Sequence, residues 1–260
     1  MSLRTPSIAL SLAAVLTPAA APADVVLLDF GDTLYTGTDS PGHEDGLATG
    51  GTWNGVTGDV ASGLVDQNGV ALVGLALDFG TGPDATSINY SNTVRGVDAD
   101  HTAFPQWNDN LGTDHLVRDV SAQGPAMAVA VTGLADGVYD FYFTGFRGDS
   151  AANAARDYEV RATTSATAVT DFSTIAVQTL TNSNPTTANS WDPGDNYITG
   201  QFTIAGGDDF YLFVDSPELN DQFTRFIGVA SSLEIVAVPE PGSMLLIGLG
   251  GLAVLVRRGR

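Results

Sequence analysis

Short β-branched and aromatic runs, each cut off by Gly, Asp, Asn or Pro, fill the middle of the chain. They read VVLLDFG from Val25, VALVGLALDFG from Val70, AMAVAVTGL from Ala126, GVYDFYFTGFRG from Gly137, RDYEVRATT from Arg156, NYITGQFTIAG from Asn196, DFYLFVDS from Asp209 and TRFIGVASSLEIVAV from Thr224. Runs of this length and composition, bounded by turn residues, predict strands. In GVYDFYFT, Tyr139, Phe141 and Phe143 alternate with Asp140, Tyr142 and Thr144, the period-two pattern of a strand with one buried face. No stretch of the body sustains a 3.6 period, although DSAANAARD from Asp149 has room for a turn or two of helix. Some eight or nine strands at irregular spacing predict an all-β fold, an antiparallel jelly-roll-like β-sandwich. No internal repeat or linker divides it, and TNSNPTTANSWDPGDN from Thr181 reads as a long polar loop. One ectodomain over residues 24–237 is the expectation.

The two ends follow other rules. Residues 1–23 combine Arg4, an apolar stretch from Ile8 to Leu16 and the small-x-small triplet Ala21-Pro22-Ala23. This is the layout of a secretory signal peptide, with cleavage by signal peptidase expected before Asp24. At the other end, the 13 residues Met244–Val256 form an apolar run followed by Arg257, Arg258 and Arg260. As a helix the run is about 20 Å long, against a hydrocarbon core of about 30 Å, so it predicts a short transmembrane helix with a weak hold. The arginines act as a stop-transfer charge that stays cytoplasmic and leaves the body outside. In front of the run, Val238-Pro239-Glu240-Pro241 cannot join a helix or a central strand, because both prolines fix φ and force their predecessors into extended geometry. It is a stiff, exposed handle.

Pro239, Glu240, Pro241, the Gly242-Ser243 pair, the glycine-rich apolar run and the terminal arginines together resemble the PEP-CTERM sorting signal of Gram-negative bacteria. The resemblance covers 238–260. It implies recognition by an exosortase, an integral-membrane transpeptidase-like enzyme, then removal of the tail after transient anchoring in the inner membrane. The product would pass to the cell surface or an extracellular exopolysaccharide matrix. The body, through GLADGVYDFYFTGFRG, DYEVRATT and FIGVASSLEIVAV, loosely resembles galactose-binding-like jelly rolls. That likeness implies a fold, and carbohydrate contact only by association.

Charge narrows the partners. The chain has 30 acidic residues against 10 basic ones, every basic residue is Arg, and the net charge is −20. Such a surface repels DNA, RNA and anionic headgroups, since a nucleic-acid binder needs a basic stripe to release counterions. Nucleic acid is excluded as a partner. No cysteine is present, which removes disulfides, thiolate metal sites and cysteine nucleophiles.

Three kinds of chemistry remain for the body. Trp53 in GTWNG, Trp107 in PQWNDN and Trp191 in NSWDPGDN sit among turn residues beside Asn or Asp, as do aromatic platforms that stack on sugar faces; they are the candidate ligand-binding residues. The competing expectation is that each tryptophan caps the end of the sandwich. Asp98, Asp100, Asp192 and Asp195 carry enough oxygens to ligate Ca²⁺, the one cofactor to consider, but lack EF-hand order and are also ordinary turn residues. For catalysis, Gly148-Asp149-Ser150 resembles the nucleophile block of SGNH hydrolases and Asp98-x-x-His101 its partner block. Their order is reversed, and the α/β pattern that positions such a serine is absent. His43, His101 and His115 have no zinc-site spacing. No catalytic set is legible, so the expectation is a non-catalytic surface or matrix protein that binds polysaccharide, with a secreted carbohydrate-active hydrolase on the same fold as the alternative.

Overall fold

The computed structural model describes residues 24–31, 34–56, 60–78, 94–96, 114–120, 127–145, 157–167, 169, 174–181, 191–216 and 226–239. Among them are fourteen strands and one short helix. The body, Ala23–Val238, is one compact unit. One five-stranded sheet joins β11 (Ile198–Ile204), β8 (Gly137–Thr144), β14 (Ser232–Val238), β1 (Val25–Phe30) and β2 (Asn54–Val56), in that order. The second has six strands in the order β10 (Gln178–Leu180), β9 (Tyr158–Ser165), β12 (Asp209–Asp215), β7 (Met127–Thr132), β4 (Ala76–Asp78) and β3 (Val60–Ser62). A third, smaller sheet pairs β13 (Phe226–Ala230), β6 (Asp114–Val120) and β5 (Val94–Gly96). The architecture is an all-β two-sheet sandwich with this small sheet added.

Apolar residues at every second position build the layer between the two large sheets. Val26, Leu28 and Phe30 of β1, Phe141 and Phe143 of β8, and Leu233 and Ile235 of β14 share one buried cluster with Val129 and Val131 of β7 and Phe210, Leu212 and Val214 of β12. Phe202 of β11 stacks on Phe210 of β12 at 4.1 Å between ring centroids, and Phe141 meets Phe210 at 5.4 Å. The chain crosses from one sheet to the other between those two phenylalanines through Ala205–Asp208. Gly206 and Gly207 there have φ of 66° and 88°, a left-handed pair that residues with a side chain resist.

Several expectations change in detail. The pairing is not wholly antiparallel: β1 and β2 run parallel, with Leu28 opposite Asn54. Among the described residues of VALVGLALDFG the one strand is the three-residue β4, because Val73 and Gly74 turn the chain before it. TRFIGVASSLEIVAV is two strands, broken at Ser231, and its halves enter different sheets. DSAANAARD lies outside the described residues up to its last residue, Asp157. No described helix is long and apolar enough to cross a membrane.

The order of strands has one consequence for the chain ends. β14, the last of the described strands, sits at the centre of its sheet between β8 and β1. It pairs antiparallel with β1, Val25 lies opposite Val236, and the Ala237 N–H donates to the Asp24 carbonyl at 3.0 Å. The residue before which signal-peptide cleavage is expected, Asp24, therefore lies beside the end of the strand that leads into the sorting tail. Pro239 follows the last rung, Val238 opposite Val138, and is exposed.

Candidate functional site

The outer face of the five-stranded sheet is expected to be polar, and at one end it is not. Its residues lie in rows across the strands. One row runs Leu27, Glu234, Tyr142 and Thr199, and the next runs Val25, Val236, Asp140 and Gln201. A strap, Leu34–Trp53, and the turn Trp191–Tyr197 lie over these rows. Together they bury a second cluster of Val25, Leu27, Tyr35, Ala48, Trp53, Tyr142, Trp191, Tyr197 and Val236. This explains why the alternation in β8 ends early: Tyr139, Phe141 and Phe143 face the sandwich interior, yet Tyr142 and Thr144 on the other face are buried too.

Three aromatic residues hold the strap. The Tyr35 N–H donates to the buried Asp29 carboxylate at 2.7 Å, and the Tyr35 hydroxyl accepts from the Asp39 N–H at 2.8 Å. Trp53 meets the Tyr35 ring edge-on at 5.2 Å and donates its indole N–H to the Gly37 carbonyl at 3.0 Å. Trp191 donates its indole N–H to Asp39 Oδ1 at 3.0 Å and its main-chain N–H to Glu44 at 3.2 Å. Trp53 and Trp191 are 4% and 5% exposed. The solvent-facing platform that a sugar would stack on is not found at these two residues: both rings are buried, and their polar edges are satisfied locally. Trp107, Asp98 and Asp100 lie outside the described residues, as do His101, Asp149 and Ser150.

Asp192 and Asp195 are brought together, but as a turn. The Asp192 carbonyl accepts from the N–H groups of Asp195 and Asn196 at 3.1 Å, and Asp195 Oδ1 accepts from the Thr181 hydroxyl at 3.2 Å. Among the described residues no group of three or more His, Asp or Glu side chains gathers to hold a metal ion.

Beneath the strap lies a polar set that sequence reasoning missed. Ser40-Pro41-Gly42-His43-Glu44 opens the one-turn helix α1 (Pro41–Glu44), with Pro41 in its first turn. Ser40 stands at the N-cap, yet its hydroxyl makes no capping bond. Ser40 Oγ lies 3.0 Å from Glu234 Oε2 and 2.6 Å from His43 Nδ1. The Gly42 N–H donates to Glu234 Oε1 at 3.2 Å, and His43 Nε2 lies 2.7 Å from the Gly50 carbonyl. Ser40 and Glu234 are fully buried, and the His43 side chain is 5% exposed. A Cβ at position 42 would strike Glu234 Oε2, so any residue but glycine here would push the carboxylate out of its present place. Burial pushes the Glu234 carboxyl up to about 7; the Gly42 and Ser40 donors hold it back, and Asp45 adds to the rise. Burial also raises the Tyr142 hydroxyl, followed by the charge and hydrogen bond of Asp45. One signal in the sequence pointed here: Glu234 is a lone charge inside the apolar strand SLEIVAV, which needs a partner when buried.

Ser, His and a carboxylate in one cluster invite comparison with a hydrolytic triad, and the geometry differs. In a triad the imidazole takes the serine proton at one nitrogen and is held by the acid at the other. Here serine and acid stand on the same side of the ring, the other nitrogen faces a main-chain carbonyl, and the serine is sealed from solvent.

The decisive observation for function lies at the chain end, where β14 gives way to the exposed Pro239. Residues 237–260 match the family description of the PEP-CTERM protein-sorting motif. The chain carries a PEP-CTERM sorting motif. Glu240–Arg260 lie outside the described residues; the motif implies export, exosortase processing and sorting to the cell surface. Among solved structures, the chain is similar to the plant receptor-like kinase ANX2, with 13% identity, a TM-score of 0.35, and 71% of this chain and 55% of that one covered. It is also similar to the ANXUR2 extracellular domain from Arabidopsis thaliana, with 12% identity, a TM-score of 0.38, and 84% and 50% covered. The chain thus spans about half the length of these relatives. No curated protein matches it.

Proposed function

We propose that this is an exosortase-sorted protein of the cell surface or extracellular matrix, whose β-sandwich is non-catalytic and contacts polysaccharide. The PEP-CTERM motif carries the reading. The sorting residues are Pro239, Glu240, Pro241, Arg257, Arg258 and Arg260, and the partners are signal peptidase, an exosortase and exopolysaccharide. Two features of the body support a binding or structural role over catalysis. The Ser–His–Glu cluster is closed to any substrate, and the strong negative charge keeps a surface protein soluble and apart from anionic neighbours. Replacing Pro239 and Pro241 with Ala lets the apolar helix extend backwards over the handle. The double variant is expected to be exported but to stay at unprocessed size in the membrane fraction; normal processing of it would remove the exosortase reading.

A further inference from the structure

The atoms that join the strap to β14 can be counted for protons. The Gly50 carbonyl only accepts, so His43 Nε2 carries a hydrogen. Gly42 supplies the hydrogen for Glu234 Oε1. Two gaps remain in a row, Glu234 Oε2 to Ser40 Oγ at 3.0 Å and Ser40 Oγ to His43 Nδ1 at 2.6 Å. The serine hydroxyl has one hydrogen and can fill only one of them. The second hydrogen must sit on Glu234, which then donates to Ser40 while Ser40 donates to His43. Otherwise it sits on His43 Nδ1, which then donates to Ser40 while Ser40 donates to Glu234. Both arrangements hold one titratable proton. Remove it, and lone pairs face each other across one of the two gaps, in a place that water does not reach.

We propose that Ser40, His43 and Glu234 form a one-proton latch that fastens the strap Leu34–Trp53 to the sheet and releases it when the shared proton leaves.

The surroundings favour keeping the proton. Asp45 on the strap raises the proton affinity of Glu234, and among the described residues His43 is the one ion-pair partner of that carboxylate, at 3.9 Å. Among the described residues the other titratable groups around the cluster are Tyr142 on β8, beside Asp140, Tyr197 on the 191–197 turn, beside Asp192, and Asp29 on β1, held by the Tyr35 N–H. Both tyrosines are raised above their ordinary value and stay neutral in the range that matters. On the strap, Asp39 and Glu44 face Trp191. The sign follows from the carboxyl. Folding raises it from 4.5 to about 7, so its contribution is fully present below about 4.5 and is lost as pH rises through about 7. An exported protein meets the pH of its surroundings, so such a latch would loosen in alkaline surroundings and uncover Tyr142, Trp53 and Trp191.

Hydrogen exchange on the full chain in detergent tests this, with amides of 34–53 compared to those of β8 and β12 at pH 5.5 and 8.5 after correction for intrinsic exchange. The expected result is that protection of the strap falls by at least about tenfold at the higher pH, while the core strands keep theirs. In Glu234→Gln the amide donates to Ser40 and accepts from Gly42 at any pH, so strap protection should no longer change between the two pH values. If that variant does not fold, Ser40→Ala decides: it breaks the row, and protection should be low at both pH values. A wild-type strap equally protected at both, a Glu234→Gln chain that still loosens, or a Ser40→Ala chain with the wild-type profile would each overturn the latch.

Discussion

At the residue scale, the tryptophans show why polar neighbours are a poor guide to exposure. Trp53 and Trp191 sit in turn-rich sequence of the kind that carries sugar-stacking platforms, but turn residues supply the carbonyl and carboxylate that their indole N–H groups need once buried. Trp53→Ala or Trp191→Ala should therefore cost about 3 to 5 kcal/mol in urea unfolding, as emptying a packed aromatic site does. A cost below about 1 kcal/mol in both would mean that the strap is not packed as described. Trp107 keeps its candidate role, and under the polysaccharide reading Trp107→Ala should weaken glycan retention by about 1 to 3 kcal/mol without a comparable loss of stability. The latch residues were less legible. Ser40 and His43 are ordinary helix-start residues by sequence, and their partner Glu234 lies 191 or more residues away. Only the isolated charge in an apolar strand hinted at it.

At the element scale, strands with strong alternation or long apolar runs were legible: β1, β7, β8, β9, β11, β12 and β14 fall where the runs predict. The three-residue strands β2, β3, β5 and β10 were not, because three residues are too few to show a period, and their pairing is set by neighbours far along the chain. β2 illustrates this. Asn54, a residue that disfavours strands, is held by donating its amide to the Leu27 and Val65 carbonyls at 3.0 and 2.9 Å and accepting from the Val65 N–H at 2.8 Å. β14 carries the strongest consequence. As the central strand, with Leu233 and Ile235 fully buried, it completes the sheet only when the last residues of the body are in place. A chain ended after Val238 should unfold cooperatively and keep its β-sheet circular dichroism, whereas one ended after Ser231 should lose both. Retention of a cooperative transition by the shorter chain would contradict the assigned order of strands.

At the scale of the whole molecule, the last strand and the sorting handle are adjoining parts of one design. The body is closed by residue 238; the matched motif shares Ala237 and Val238 with the end of β14, and its Pro-Glu-Pro handle starts at the exposed Pro239, after the last rung. Removal of the tail beyond this point leaves every described rung of β14 intact, so a folded body and a cleaved tail are compatible. The measurement that tests the account most directly is the intact mass of the protein recovered from the surface or medium of the cells that make it with their own exosortase. The account predicts a chain that begins near Asp24 and ends close to the Pro239-Glu240-Pro241 handle, without the apolar run or the arginines. A mature chain that still ends at Arg260 would contradict it.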